Sequence, residues 1–232
     1  MNGSLLGAGS VLQIEEIVAR KLRDSMLWMV WGLVTTLATM VAMFFNPEWL
    51  SFSFEYYRYI LFAELGVVIL FSARQMSASL SALKAMFFAY AIMNGLTLTA
   101  ITVAYGTDAV FYAFIGTLAF FVSFAAVGKY VSRDLSGFVP YLLAAVVAMI
   151  LVGLGLMFFG LSSTWSLAMG CLGVVVFTIF TAVDVNIIKR NLTAAVFEDE
   201  DVLERIELIG ALNLYLDFIN LFLSLLRVFG RK

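Results

Sequence analysis

Between Ala211 and Gly230 the chain reads ALNLYLDFINLFLSLLRVFG, an apolar run long enough to span a membrane that still carries Asn213, Asp217, Asn220, Ser224 and Arg227. Their spacing is four, three, four, three, which places all five on one face of a helix. An aspartate near the middle of a spanning helix costs about 2.5–3.5 kcal/mol on insertion scales, so such a residue is a functional candidate by default. A whole polar stripe constrains the fold further. This helix cannot turn that face to lipid and has to sit inside a bundle, against polar groups or water.

The rest of the chain supplies the bundle. Of 232 residues 63% are hydrophobic and 13% charged, against about 45–50% and 25% in soluble domains, so this is an all-α integral membrane protein. Seven spans are expected at about Met26–Phe45, Tyr57–Ser72, Leu83–Ala104, Val110–Gly128, Val139–Gly160, Trp165–Ile187 and Leu208–Phe229. With short loops they exhaust the length, leaving residues 25–232 as one transmembrane domain and residues 1–24 as a polar cytoplasmic head. Within the head Val11, Ile14, Val18 and Leu22 fall at helical spacing, which suits either a short helix on the bilayer surface or a tail leading into the first span. The head lacks an apolar core preceded by positive charge, so no cleavable signal peptide is expected.

Orientation follows from the cations. With the N-terminus inside, the inner segments hold Arg20, Lys21, Arg23, Arg74, Lys84, Lys129, Arg133, Lys189, Arg190 and Arg205. The outer side holds Arg58, Arg227, Arg231 and Lys232, so the N-terminus is expected in the cytoplasm. The net charge of −2 argues against nucleic acid as a partner, and the single Cys171 excludes an intrachain disulfide. No nucleotide-binding loop, zinc-protease motif or nucleophile elbow is present, and no tightly bound cofactor is expected. Gly153, Gly155, Gly170 and Gly173 read as places where helices approach closely. The acidic stretch Lys189–Glu207 reads as a solvated linker or as an antechamber that concentrates cations.

Three acidic residues fall inside the expected spans: Glu64, Asp184 and Asp217. Asp184 and Asp217 lie on consecutive spans at depths differing by about 9 Å, within the uncertainty of the span edges, so antiparallel neighbours could bring the two carboxyls together. Two carboxylates in a low-dielectric site cannot both ionise cheaply, and one proton is held between them. Deprotonated, they repel or form an oxygen-rich site for a divalent cation such as calcium. The chain has no histidine, so a response near neutral pH has to come from carboxylates. Asp184 alone could also face the inner interface near Lys189 and Arg190, and Asp217 could be tied into a polar network by Asn213 and Asn220. For Glu64 a bond to a neighbouring helix and a place among ion ligands are equally open.

The block LYLDFINLFLSLLRVFG, preceded about thirty residues earlier by VDVNIIKRN, resembles the signature of the Bax inhibitor-1 family, also called the transmembrane Bax-inhibitor-motif family, in its compact bacterial form. The resemblance implies a seven-helix bundle whose last helix is central, surrounded by the other six. It implies a calcium leak of the cell membrane, or of an organelle membrane in a eukaryote, gated by protonation of an aspartate pair that falls on Asp184 and Asp217. It places Glu64 along the ion path and an inner arginine latch at Gln75, with Arg74 beside it. Some relatives of this kind restrain a membrane protease or another membrane partner, which gives a non-transporting alternative. No enzymatic activity is expected: intramembrane aspartyl proteases carry YD and GxGD motifs, whereas this chain has VD and LD without a glycine before the second aspartate.

Overall fold

The computed structural model describes the backbone of residues 2–159 and 163–230 and the side chains of residues 12–153, 155 and 164–230. Val11, Gly160, Arg231 and Lys232, to which the sequence reading assigned places, lie outside the described side chains. Every regular element among the described residues is helical: α1 Asn2–Phe44, α2 Pro47–Glu55, α3 Tyr57–Arg74, α4 Leu80–Tyr105, α5 Thr107–Tyr130, a 3-10 turn at Ser136–Phe138, α6 Val139–Phe159, α7 Ser163–Ala194 and α8 Glu200–Phe229. Six stretches are long and apolar enough to cross a membrane, and the pair α2–α3, bent by 76°, makes a seventh if taken together. The chain is thus a multi-span, all-helical membrane protein.

The breaks have local causes. Pro47 has no N–H and restrains the residue before it, so α1 stops short and Asn46 turns extended, at φ −129° and ψ 100°. The Asn46 side chain then accepts from the N–H groups of Glu48 and Trp49 at 3.2 and 3.4 Å, capping α2. Between α4 and α5 the chain reverses at Gly106, whose φ of +84° lies where a side chain would be strained. Before α6 the Asp134 carboxylate accepts from the Ser136 N–H at 2.9 Å, and Pro140 sits in the first turn, where its missing N–H is harmless.

The helices form two compact units, one of Met1–Val103 with Ile188–Tyr215, the other of Ala104–Ile187 with Leu216–Lys232. In the first unit the described part of the N-terminal head continues the helix of the first span without interruption, and Val18, Lys21, Leu22 and Ser25 are buried. The acidic stretch before the last span is mostly helix, because α8 begins at Glu200 and only residues 195–199 connect it to α7. Carboxylates are favoured in the first turns of a helix, and here they also find cations. Lys21 of α1 pairs with Glu200 and with Glu207, the latter at 2.8 Å, and Lys84 of α4 pairs with Glu204 at 2.5 Å. Arg205 donates from Nη1 to the Gln75 carbonyl at the end of α3, at 2.7 Å. Salt bridges to α1 and α4, together with this bond to the end of α3, therefore hold the first two turns of α8.

In the second unit small residues set the distances. A Cβ on Gly170 would lie 3.0 Å from the Ser224 carbonyl, and one on Gly173 3.0 Å from the Ser224 Cβ, so α7 and α8 touch backbone to backbone there. Gly128 on α5 likewise abuts the Ala182 carbonyl of α7. Gly153 and Gly155 depart from expectation: nothing lies within 4 Å of a Cβ at either position. Phe218 of α8 packs edge-on against Phe114 and Phe121 of α5, with centroids 6.2 and 5.5 Å apart. Among the candidate spans α8 is the most buried, with 72% of its most apolar stretch inside against 50% for the next.

Candidate functional site

In the second unit Asp184 and Asp217 lie near enough for their charges to interact. The glycine contact explains how. With Gly173 opposite Ser224 in antiparallel register, Asp184 stands about one turn from Asp217, or about 6 Å in height. Asp217 is 5% exposed, and its Oδ2 is buried without a hydrogen-bond partner. Asp184 is half-buried. The hydroxyls near Asp184 on α7 do not serve the pair: Thr181 donates back to the Phe177 carbonyl at 2.9 Å, and the Thr178 hydroxyl is itself buried and unpartnered. Two neighbouring acids, one of them sealed and short of a partner, suit a shared proton, or a cation that replaces it.

A further residue, not among the sequence candidates, holds α7 near Asp184. Asn186, two positions on, is 1% exposed and reaches the link between α5 and α6. Its Nδ2 donates to the carbonyls of Val131 at 3.1 Å and Gly128 at 3.4 Å, while its Oδ1 accepts from the Leu135 N–H at 3.1 Å. The side chain thus replaces the backbone partners that the link lacks, and it fixes the rotation of α7 about its axis. An asparagine within an apolar run was the available signal.

The first unit holds a separate polar cluster. Glu64 of α3 is buried and accepts a hydrogen bond from the Thr97 hydroxyl of α4 at 2.5 Å. Tyr90 and Asn94, on the same helix as Thr97, interact through their side chains, and the Asn94 Nδ2 is buried without a hydrogen-bond partner. Tyr215 of α8 packs edge-on against Phe87 and Tyr90, and its hydroxyl meets Thr36 Oγ1 of α1 at 2.6 Å.

The stripe on α8 is not uniformly hidden. Asp217 and Ser224 are buried and Asn220 half-buried, whereas Asn213 and Arg227 are exposed. Asn220 donates to the Leu216 carbonyl of its own helix at 2.8 Å, so its amide N–H is not aimed at the acid pair. Arg74 is exposed in the last turn of α3, and the cation that reaches this end of α3 is Arg205. Among the described residues no cluster of three or more acidic, cysteine or histidine side chains forms.

Known proteins resemble this chain over most of its length. The family model described as inhibitor of apoptosis-promoting Bax1 matches residues 18–232. The inner membrane protein YbhL of Escherichia coli K12 is 35% identical over 173 residues, covering 75% of this chain and 74% of its own. An uncharacterized protein of Deinococcus radiodurans is 36% identical over 171 residues, 73% and 72% of the two chains. An uncharacterized membrane protein of Streptococcus pyogenes is 38% identical over 146 residues, 63% and 62%. With its helical spans and its LYLDFINLFLSLLRVFG block inside the matched region, the chain belongs to the Bax inhibitor-1 family of membrane proteins.

Proposed function

We propose that this family member is a pH-sensitive calcium leak, in which protonation of Asp184 and Asp217 controls passage. The observation that supports the reading is the nearness of the half-buried Asp184 to the buried Asp217, whose Oδ2 has no hydrogen-bond partner. Protonated, the pair holds α7 and α8 together through a shared proton. Deprotonated, it carries charge that repels across the interface or attracts a divalent cation. Proton and cation compete for the same oxygens, so calcium affinity rises with pH. Glu64, Asn213 and Asn220 are the further polar groups of the path, and α8 is taken as its inner helix, as its burial supports. The N-terminus lies in the cytoplasm, and the membrane is the inner or cytoplasmic one, as the name of the Escherichia coli relative suggests.

The test is calcium flux into liposomes carrying the purified protein, measured at about pH 6 and about pH 8. Wild type is expected to differ between the two, and Asp217→Asn, which cannot ionise, to bring them together. Absent flux from a folded protein, or an unchanged pH difference in Asp217→Asn, overturns the mechanism. Absent flux together with capture of a membrane protease would favour the non-transporting regulator.

A further inference from the structure

We infer that α2 is an interfacial anchor lying in the headgroup region of the bilayer, with its aromatic stripe in contact with lipid, and that it is not the outer part of a bent span. The inference goes beyond the proposed function and does not depend on it.

The first observation is geometric. With 18 residues α3 is about 27 Å long, close to the hydrocarbon thickness of about 30 Å, so its length leaves little of the crossing to α2, although it meets the apolar measure of a span only when α2 is added. The 76° bend at Tyr56 then turns α2 close to the membrane plane. The second observation is charge. Glu48 and Glu55 stand at the two ends of the nine-residue α2, Arg58 follows within one turn, and all three are exposed. Ionised carboxylates are strongly disfavoured in hydrocarbon but at home among headgroups.

The third observation is the pattern of exposed rings. Phe45, Trp49, Phe52, Tyr56 and Tyr59 repeat at four, three, four, three. All are exposed, from 40% at Tyr56 to 85% at Phe45. Phe52 stacks on Tyr56 at 4.7 Å, and Tyr56 meets Tyr59 at 6.2 Å, which carries the stripe around the bend. Beyond Tyr59 it continues into Phe62, Leu65 and Ile69, the exposed apolar side of α3, which in a membrane protein is a lipid-facing surface. Glu48, Ser51 and Glu55 follow their own spacing of three and four on an adjacent face of α2. Amphipathic rings at the polar–apolar boundary, flanked by charge, are the pattern of an interfacial helix. The capped start at Asn46 and the buried Ser53, whose hydroxyl is bonded to the Leu50 carbonyl at 2.8 Å, make α2 a defined element.

Such an anchor has a consequence for α3. With Tyr56 held at the interface, Glu64 stands eight residues further along, about 12 Å deeper, and cannot slide along the membrane normal.

The experiment uses the full chain in lipid vesicles, with Trp28→Phe, Trp31→Phe and Trp165→Phe combined so that Trp49 is the remaining tryptophan. Lipids carrying a quencher near the glycerol level are expected to remove most of the Trp49 emission. Lipids quenched near the chain ends should remove little. Greater loss to the deep quencher would make α2 part of a span, and loss to aqueous iodide with none to either lipid would place it in water; each outcome overturns the inference. Should the triple variant not fold, nitroxides at Ser51→Cys and Phe52→Cys in a Cys171→Ser background provide a second reading. Phe52 is expected to collide with oxygen in the lipid and Ser51 with a water-soluble nickel chelate, and equal accessibility at the two sites sinks the anchor.

Discussion

The hydroxyls of Thr36 and Tyr215 lie 2.6 Å apart, joining α1 to α8 across 179 positions of sequence. Thr36 Oγ1 also lies 3.0 Å from the carbonyls of Gly32 and Ala91, so its one proton goes to a carbonyl and Tyr215 is the natural donor to its oxygen. Removing the phenolic hydroxyl by Tyr215→Phe keeps the ring against Phe87 and Tyr90 and deletes this bond alone. The expected loss is about 1 kcal/mol, read as a lower midpoint of thermal unfolding in detergent. An unchanged midpoint would mean that the bond contributes nothing net.

Lys21 is a cation with 6% exposure held between two carboxylates, and Glu207 is equally buried. Lys21→Met removes the cation and leaves Glu207 in place, which should cost about 3–5 kcal/mol. Adding Glu207→Leu removes the stranded charge, and much of the loss is expected to return. The comparison is made by thermal unfolding of the two variants, and a double variant no better than Lys21→Met would refute the account.

Gly128 and Gly153 make a matched pair. A Cβ at Gly128 meets the Ala182 carbonyl, whereas one at Gly153 meets open space. Gly128→Ala should separate α5 from α7 and lower stability by about 1–3 kcal/mol. Gly153→Ala should be neutral or slightly favourable, since alanine is the better helix former. Unfolding midpoints in the reverse order would contradict the contact.

At Glu64 the question is whether the charge or the bond matters. Glutamine preserves the size and the oxygen that accepts from Thr97 but cannot ionise. Glu64→Gln is therefore expected to fold with wild-type stability while lowering calcium flux in liposomes. Flux unchanged alongside unchanged stability would assign Glu64 to helix pairing only.

That the chain is a multi-span helical protein was legible because about twenty apolar residues in a row have few other destinations; of the seven expected spans, six stand alone and the seventh depends on joining α2 to α3. Helix ends were not, because hydropathy marks the edge of hydrocarbon and helices continue past it. α8 starts at Glu200, eight residues before the expected Leu208, and α7 runs on to Ala194 through Lys189 and Arg190. Asp184 and Asp217 stood out for a related reason: they are acids in apolar surroundings on consecutive spans, which tend to be neighbours. Which polar groups pair was hidden, since that depends on how helices rotate about their axes. The roles of Asn186, Arg205 and Tyr215 appear once Gly128, Gln75 and Thr36 are seen beside them. The polar stripe was correctly placed on one face, but spacing alone did not say that Asn213 would be open and Asp217 closed.

The salt bridges and the bond to Gln75 around the first turns of α8 also bear on how the protein is made. A segment with Asn213, Asp217, Asn220 and Ser224 on one side is a poor candidate for entering lipid by itself. It is synthesised after α1 to α7. Lys21 and Lys84 therefore precede it out of the ribosome, and they are the cations that pair with Glu200, Glu204 and Glu207 in its acidic leading turns. Shuffling α8 to an earlier position in the chain would separate it from those partners at the moment of insertion. The acidic start of α8 thus matches cations carried by helices that come before it in the chain.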